Sequence, residues 1–151
     1  MKELCRRSDD CYNYLMENIK NDTKKVAVCL VFDEIGRILL IRPSDYKNFG
    51  EYQNAWYPPT GHVKEGETVE KALVREAYEE LNITVKPIEL ISEWEQDIPG
   101  ETAFWWKCKI VGGEIMNGEE IAEHKYFTFD ETKKLKLWPA EEKFFKKFFW
   151  K

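Results

Sequence analysis

The chain has 151 residues, a formal net charge of -5, 43% apolar residues and 34% charged residues. This length predicts one domain, spanning residues 1–151, that buries a core without disulfides or a structural metal. The acidic balance and the lack of a long basic run argue against a general binder of nucleic-acid polymers or anionic membranes. A polyanionic substrate is still compatible with this charge if a metal ion supplies positive charge.

The cysteines and the N-terminal residues are used to predict the cellular location of the protein. None of the four cysteines has C-x-x-C spacing, and Cys29 and Cys108 lie in apolar strand-like runs, which predicts buried thiols. The first ten residues carry no apolar core of a signal peptide. No run approaches the roughly 18 apolar residues that cross a membrane. The sequence therefore predicts a soluble, cytoplasmic protein.

The N-terminal part of the chain is predicted to contain one helix and two strands. Residues 9–20 carry apolar side chains at helical spacing, which predicts a helical extension at about residues 1–23. This stripe is expected to pack on the domain, and capping of a site or a dimer contact is the alternative. Residues 25–33 form a nearly continuous apolar run, typical of a strand covered on both faces. The turn-like DEIG leads into RILLIRP, so the two runs are predicted to form a hairpin.

The rest of the chain alternates strands with two helices. WYPPTG is expected to be extended, because each proline restricts its predecessor, and a helix is predicted at 68–81. Strands are predicted at 83–96 and 102–111, and a polar loop at 117–123 precedes the strand HKYFTF. Pro139 suits the first turn of a C-terminal helix. The apolar stripe of that helix consists of Phe144, Phe145, Phe148 and Phe149. A sheet covered by helices on both faces fits this order, which predicts the α/β class.

The central helix carries acidic residues where an amphipathic helix needs apolar ones. Projected at about 100° per residue, Glu76 and Glu80 fall within the apolar stripe, and Glu79 lies at its edge. No lysine lies one turn further on, and Arg75 can pair with only one or two of the acids. Clustered hard oxygen ligands suit Mg²⁺ or Mn²⁺. The pattern therefore predicts a metal site, and a structural salt-bridge cluster is the alternative.

The segment GHVKEGETVEKALVREAYEELNI, residues 61–83, resembles the Nudix box, G-x5-E-x7-R-E-U-x-E-E-x-G-U, in which U is apolar. The matching fixed positions are Gly61, Glu67, Arg75, Glu76, Glu79 and Glu80. The resemblance implies a Nudix-type α/β/α sandwich with a mixed β-sheet. It also implies hydrolysis of a phosphoanhydride bond, in a nucleoside diphosphate linked to a group X, by a metal-activated water. The implied cofactor is Mg²⁺ or Mn²⁺.

The resemblance also assigns expected roles to individual residues. It implies that Glu76, Glu79 and Glu80 are metal ligands. The backbone carbonyl of Thr60 would join them, and Glu67 is a further, supporting candidate at the metal site. Arg75 is expected to orient a glutamate through charge-assisted hydrogen bonds.

The general base that takes the proton of the attacking water has two possible sources. One is a glutamate of the box, Glu76 or Glu79. The other is an acid of the loop before the last strand, where Glu119, Glu120 and Glu123 are the candidates. Glu123 is favoured within the loop because EHKYF resembles the family's acid that precedes an aromatic strand. A solvated acidic turn is the alternative interpretation of this loop.

A second, shorter resemblance bears on the substrate. WYPPTGHV resembles the P-P-x-G-H-V stretch of animal-type diadenosine tetraphosphate hydrolases, which makes a dinucleoside polyphosphate one expected substrate. A MutT-like pyrophosphatase acting on nucleoside triphosphates and a non-catalytic Nudix-fold binding module are the alternatives. Degenerate modules lose box glutamates, and this chain keeps them. The expected partner is a small-molecule nucleotide, bound by a monomer or a homodimer.

Aromatic and basic side chains are candidates for holding that nucleotide. Trp105 and Trp106 are adjacent on a predicted strand and point to opposite faces, so one of them can stack on a base while the other fills the core. Trp56, Tyr46 and Arg42 are further candidate substrate contacts.

Asn82 replaces the glycine that the box has just past the end of its helix. That position usually needs the left-handed backbone conformation, which asparagine tolerates better than most residues. The sequence therefore predicts a positive φ at Asn82, with the acidic residues of the helix undisturbed.

Overall fold

A computed structural model describes residues 24–44, 53–95 and 99–151. The predicted helical extension at about residues 1–23 and the candidate substrate contact Tyr46 lie outside the described residues. Among the described residues, no helix is long and apolar enough to cross a bilayer. The cytoplasmic location stays a prediction.

A four-stranded mixed sheet forms the centre of the molecule. Its strand order is β3 (Thr60–His62), β1 (Lys24–Val31), β5 (Glu101–Gly113) and β4 (Ile83–Glu95). Strand β1 runs antiparallel to β3 and parallel to β5, and β4 runs antiparallel to β5. Residues 26–31 of β1 are buried, as the continuous apolar run of this strand predicts for a strand covered on both faces.

A smaller two-stranded sheet consists of β2 (Ile38–Pro43) and β6 (Ile121–Phe127) in antiparallel register. The first two apolar runs are connected by the predicted turn, but the predicted pairing of their strands into a hairpin is wrong. The turn closes through the Asp33 amide, which donates to the Arg37 carbonyl at 2.9 Å, and through one bridge between Phe32 and Ile38. Because β3 and β5 occupy both edges of β1, β2 has no free edge there and pairs with β6 instead.

Helices cover both faces of the central sheet. The helix α1 (Val69–Leu81) buries Ala72, Leu73 and Ala77 in a cluster with one face of β1 and β5. The C-terminal helix α3 (Pro139–Phe148) buries Phe144 and Phe145 in a second cluster with the other face. A short helix α2 (Phe129–Thr132) precedes it. The predicted α/β/α sandwich with a mixed sheet is therefore confirmed.

Two boundaries near the C-terminus differ from the sequence prediction. The strand predicted as HKYFTF begins earlier, at Ile121, so part of the predicted loop at 117–123 is β-structure. It ends at Phe127, because Thr128 caps α2: its hydroxyl accepts from the Glu131 amide, and the Glu131 carboxylate accepts from the Thr128 amide. This reciprocal capping box ends the strand, which the periodicity of aromatic residues does not reveal.

The ends of α1 match the sequence prediction. The Thr68 hydroxyl accepts a hydrogen bond from the Lys71 amide and caps the N-terminus. Asn82 adopts φ 59° and ψ 29°, so the predicted positive φ is confirmed, and its amide donates to the Tyr78 carbonyl. The Asn82 side-chain amide donates to the Glu114 carbonyl at 3.3 Å, which links the helix end to the loop after β5.

The buried rings and thiols complete the core. Trp105 is fully buried and stacks on Phe144, with ring centroids 3.9 Å apart. Phe148 is 39% exposed, so the C-terminal end of the phenylalanine stripe is only partly covered. Cys29 and Cys108 are buried, as predicted, and a hydrogen bond between them, together with burial, raises the pKa of the Cys29 thiol.

The conformation of Asn82 gives a stability test. Asn82→Ala should lower the free energy of unfolding by about 1–2 kcal/mol, because alanine resists a left-handed backbone and makes no side-chain bond to the loop. Asn82→Gly is the matched control, since glycine accepts this φ freely, and it should stay within about 0.5 kcal/mol of the wild type. Urea unfolding measures both. Equal stability of the two variants would contradict the role assigned to the backbone conformation.

Candidate functional site

Arg75 lies at the centre of an ion-pair network on α1. Its Nε and Nη2 atoms donate to the two carboxylate oxygens of Glu67 at 2.8 and 3.0 Å, a bidentate pair. Its Nη1 donates to Glu76 at 2.7 Å and to Glu79 at 3.3 Å. Nη2 also donates to the His62 carbonyl at 3.0 Å. One guanidinium thus connects the helix, the loop that precedes it and the end of β3.

Glu67 holds the loop that leads into α1. Its carboxylate also accepts a hydrogen bond from the Lys64 amide at 3.0 Å. The hydrogen bonds from Arg75 and Lys64 lower the pKa of Glu67 to about 2. The hydrogen bond to Glu67 in turn raises the pKa of Arg75. Both groups are therefore charged at neutral pH, and Glu67 supports the loop.

Gly61 provides the space in which the Glu76 carboxyl group lies. A Cβ atom on Gly61 would come within 2.0 Å of Cδ and 2.1 Å of Oε1 of Glu76. The Glu76 side chain therefore fills the space between strand β3 and helix α1, and a side chain at position 61 would collide with it. Thr60 immediately precedes Gly61 in β3, so its carbonyl belongs to the backbone that borders this carboxyl group.

Glu76 and Glu80 form a pair of contacting carboxyl groups one helical turn apart. The two side chains are hydrogen-bonded to each other, and Oε2 of Glu80 is inaccessible to solvent. Burial raises the pKa of Glu76, the charge of Glu79 adds to this effect, and Arg75 opposes it. Two carboxyl groups in contact are stable only if they share a proton or a cation.

The donor set fits a hard divalent cation. Glu76, Glu79 and Glu80 supply carboxylate oxygens, and the cradle at Gly61 leaves the Glu76 carboxyl group room beside the β3 backbone. The side chains of the described residues form no group of three acids, histidines or cysteines already converging on one point. Glu79 instead contacts Arg75 and has 52% of its side chain exposed, so it is free to rotate toward a cation.

A loop between β5 and β6 closes over the C-terminal end of α1. The Gly118 amide donates to the Glu80 carbonyl at 2.8 Å, and a Cβ atom on Gly118 would come within 2.6 Å of the Glu79 carbonyl oxygen. The other side of the loop is fixed by Ser44, whose amide donates to the carbonyl of Glu120 at 2.8 Å. This loop therefore holds Glu120 next to the helix that carries the acids.

The pKa of Tyr57 is affected by acids from several parts of the chain. Its pKa is raised by burial and then by the charges of Glu80, Glu120, Glu141 and Glu76, in that order. Tyr57 pairs with Ile41 at the end of β2 and packs in the cluster beneath α1. Its neighbours place a neutral phenol hydroxyl among the acids of the helix and the acid of the loop.

Glu123 occupies a different position from the one its sequence motif suggests. It lies on β6 directly opposite Arg42 of β2, and Nη2 of Arg42 donates to its carboxylate at 3.3 Å. Nη1 of Arg42 donates to Asn54 at 2.9 Å, and Asn54 has a positive φ of 71°. Glu123 therefore acts as a counterion of Arg42, and Arg42 already has two partners within the protein.

The tryptophans divide between the two faces of the sheet. Trp105 has no exposed surface and cannot stack on a substrate, so the substrate contact predicted for it is wrong, and it is the ring that fills the core. Trp56 packs edge-on against Phe127, with centroids 4.9 Å apart, in the cluster beneath α3. Trp106 is the member of the pair on the α1 face, where it is partly buried. Its buried Nε1 has no hydrogen-bond partner among the described residues.

The chain is similar in sequence to proteins of one known family. The family profile described as "NUDIX domain" matches residues 22–148. The chain is similar to an ADP-ribose pyrophosphatase of Methanocaldococcus jannaschii, with 29% identity over 128 residues, covering 77% of this chain and 73% of that protein. It is also similar to an RNA pyrophosphohydrolase of Haemophilus ducreyi, with 33% identity over 85 residues, covering 56% of this chain and 34% of that protein.

A solved structure shares the fold. The C. elegans Ap4A hydrolase in a binary complex superposes with a TM-score of 0.65 and 21% identity, covering 82% of this chain and 94% of that one. Several of the curated relatives are much longer, and the chain spans 26% to 34% of their length.

The pKa of Glu67 gives a pH-dependence test on the metal-free protein. Glu67 titrates near pH 4.3 in the unfolded chain and at about 2 in the fold, so its pairing stabilises the fold above about pH 4.3. This stability is lost as the pH falls toward 2. The difference in unfolding free energy between wild type and Glu67→Gln should be constant above about pH 5 and shrink at lower pH. Urea unfolding across this range measures it. Glu65→Gln, at an exposed site, should show no such trend, and a Glu67→Gln difference independent of pH would contradict the assignment.

Proposed function

This chain belongs to the Nudix family, and we propose that it is a Mg²⁺- or Mn²⁺-dependent hydrolase of nucleotide phosphoanhydride bonds. The substrate class is a nucleoside diphosphate linked to another group. The observation that carries the proposal is the contacting pair Glu76 and Glu80 beside Gly61, with Glu79 and Arg75 on the same helix. A non-catalytic binding module would have no need to keep this buried acidic arrangement, which costs stability without a cation.

The residues that would hold the metal are Glu76, Glu79 and Glu80, with the Thr60 carbonyl as a further ligand. When bound, the metal neutralises the diphosphate and lowers the pKa of a water that attacks phosphorus. Glu67 supports this site through Arg75 and the loop, because both of its oxygens are engaged there. Arg75 donates hydrogen bonds to Glu76 and Glu79, so both carboxylates lie beside one guanidinium before a metal binds.

Among the loop acids, Glu120 is the best candidate for the general base. Its backbone is fixed to Ser44, and its charge acts on Tyr57 together with those of Glu76 and Glu80. Glu123, favoured by its motif, is the partner of Arg42 instead. Glu76 and Glu79 stay alternatives as the base within the helix.

The substrate within this class is proposed more narrowly as a dinucleoside polyphosphate. The P-P-x-G-H-V stretch at residues 58–63 and the shared fold with the Ap4A hydrolase support it. The names of the two curated relatives, an ADP-ribose pyrophosphatase and an RNA pyrophosphohydrolase, support the broader class. A nucleoside triphosphate pyrophosphatase is the second candidate, since the same acids would act on its phosphoanhydride.

A substrate panel with product identification tests the proposed function. With Mg²⁺ or Mn²⁺, at least one compound among diadenosine polyphosphates, ADP-ribose and nucleoside triphosphates should be cleaved at a phosphoanhydride bond. The products would be two adenine mononucleotides from a diadenosine polyphosphate, AMP and ribose 5-phosphate from ADP-ribose, or a nucleoside monophosphate and pyrophosphate from a triphosphate. Glu79→Gln should lower kcat by about 10²-fold or more, because it removes a carboxylate that binds charge in the transition state. Glu70→Gln, an exposed acid on the first turn of the same helix, should leave kcat unchanged. No hydrolysis with either metal, or full activity of Glu79→Gln, would overturn the proposal.

A second comparison tests the general base. Glu120→Gln should lower kcat by about 10²- to 10⁴-fold and remove the acidic limb of the pH–rate profile, as loss of a general base does. Glu123→Gln should change kcat by less than about tenfold and keep that limb, because the residue pairs with Arg42. The reverse order of the two variants would assign the base to Glu123. Equal, small effects would assign it to Glu76 or Glu79.

A further inference from the structure

On the α1 face of the central sheet, the described residues leave one part beside the acids only partly covered. In β1, Cys29 and Val31 are fully buried. On the neighbouring strands the same face is less covered: Phe104 and Trp106 of β5 are only partly buried, and Leu90 of β4 is 42% exposed. The strand register places Lys25 and Glu93 on the same face. We call this surface the Phe104 shelf, and its members are Lys25, Leu90, Glu93, Phe104 and Trp106.

The strand register shows that the Phe104 shelf and the acidic site lie in the same part of the sheet. Gly61 pairs with Ala27, Ala27 pairs with Phe104, and Phe104 pairs with Glu93, so these residues form one row across the sheet. Gly61 is the residue against which the Glu76 carboxyl group packs. Strands are about 4.8 Å apart, so Phe104 lies roughly 10 Å across the sheet from Gly61. An extended nucleoside diphosphate is long enough to place a phosphate at the acids and its base on the shelf.

The shelf combines an aromatic platform with one cation and one anion. The Lys25 ammonium lies 5.9 Å from the centroid of the Phe104 ring. The exposed Glu93 lies in register with the same ring on the other side, on β4. Among the described residues, neither Lys25 nor Glu93 forms an ion pair. A donor and an acceptor thus flank a ring on which a flat base can stack.

We propose that the Phe104 shelf binds the base of the substrate and that Glu93 selects guanine; this inference rests on the proposed function. The Watson–Crick edge of guanine carries two adjacent donors, N1–H and the 2-amino group, which one carboxylate accepts together. Its O6 is an acceptor for Lys25. Adenine offers the 6-amino group beside the lone pair of N1, which repels the second carboxylate oxygen. Uracil offers one donor between two acceptors, and its single ring stacks over less of Phe104.

The test measures binding and turnover separately. Dissociation constants of GDP, IDP and ADP, measured by calorimetry with Mg²⁺, should show GDP binding about 10- to 100-fold more tightly than ADP, the usual range for a bidentate contact to a base. IDP lacks the 2-amino group and should fall between them. Glu93→Gln should reduce the preference for GDP over ADP to less than about threefold.

Control variants separate selection from folding and stacking. Glu89→Gln, an exposed acid on the same strand opposite Lys107, should keep the wild-type preference. Phe104→Leu should weaken GDP and ADP alike and leave their ratio unchanged, because a stacking platform does not distinguish the two purines. Equal affinity of the wild type for GDP and ADP, or a preference that survives Glu93→Gln, would overturn the inference.

Measurements of turnover separate a failure of the shelf assignment from a failure of the proposed function. Diguanosine tetraphosphate should be hydrolysed with a kcat/KM about 10- to 100-fold above that of diadenosine tetraphosphate, mainly through KM. Hydrolysis without a guanine preference would overturn the shelf assignment and leave the proposed function intact. Guanine-selective binding without hydrolysis would support the shelf and overturn the proposed function.

Discussion

The arrangement of the acidic site depends on one cation, the guanidinium of Arg75. It satisfies both oxygens of Glu67, contacts Glu76 and Glu79, and donates to a carbonyl of β3. Without it, the helix would carry neighbouring carboxylates whose mutual repulsion nothing within α1 offsets. With it, the acids are oriented by a rigid planar group, and the loop before the helix is tied to the same point. The electrostatic cost of the site and its geometry are therefore set by the same residue.

The central sheet and the loop around Gly118 provide parts of the site that helix α1 does not carry. Gly61 lets the Glu76 carboxyl group lie against β3, and the row from Gly61 through Ala27 to Phe104 extends the site across the sheet. The loop around Gly118 brings Glu120 to the C-terminal end of α1 because its backbone bonds both to the helix and to Ser44. The charges of acids from separate parts of the chain thus act together on Tyr57 and raise its pKa. A side chain at position 61 would collide with the Glu76 side chain, and one at position 118 would collide with the backbone of α1.

Local features of the chain were predictable from sequence, and choices between distant partners were not. The limits of α1, its Thr68 cap and the positive φ of Asn82 follow from neighbouring residues, and the structure confirms them. The hairpin prediction failed because the two edges of β1 pair with β3 and β5, which both follow β2 in the chain. Alternation placed Trp105 and Trp106 on opposite faces but not which face each would occupy. The motif that favoured Glu123 contains no information about Arg42, which is its neighbour only across the small sheet. The metal ligands, the base and the substrate contacts other than Trp105 stay predictions.

The position of β1 has a consequence for how the chain acquires its structure during synthesis. Ala27 pairs with Gly61 on one side and with Phe104 on the other, so the first described strand is completed by the fifth. Such non-local pairing makes folding slow relative to helical proteins of the same size. Until β5 leaves the ribosome, the most apolar strand of the chain has an open edge, which is a site for aggregation. The row from Gly61 to Phe104 is complete only after this edge closes, so the sheet beneath the acids can be whole only in chains whose synthesis has passed β5.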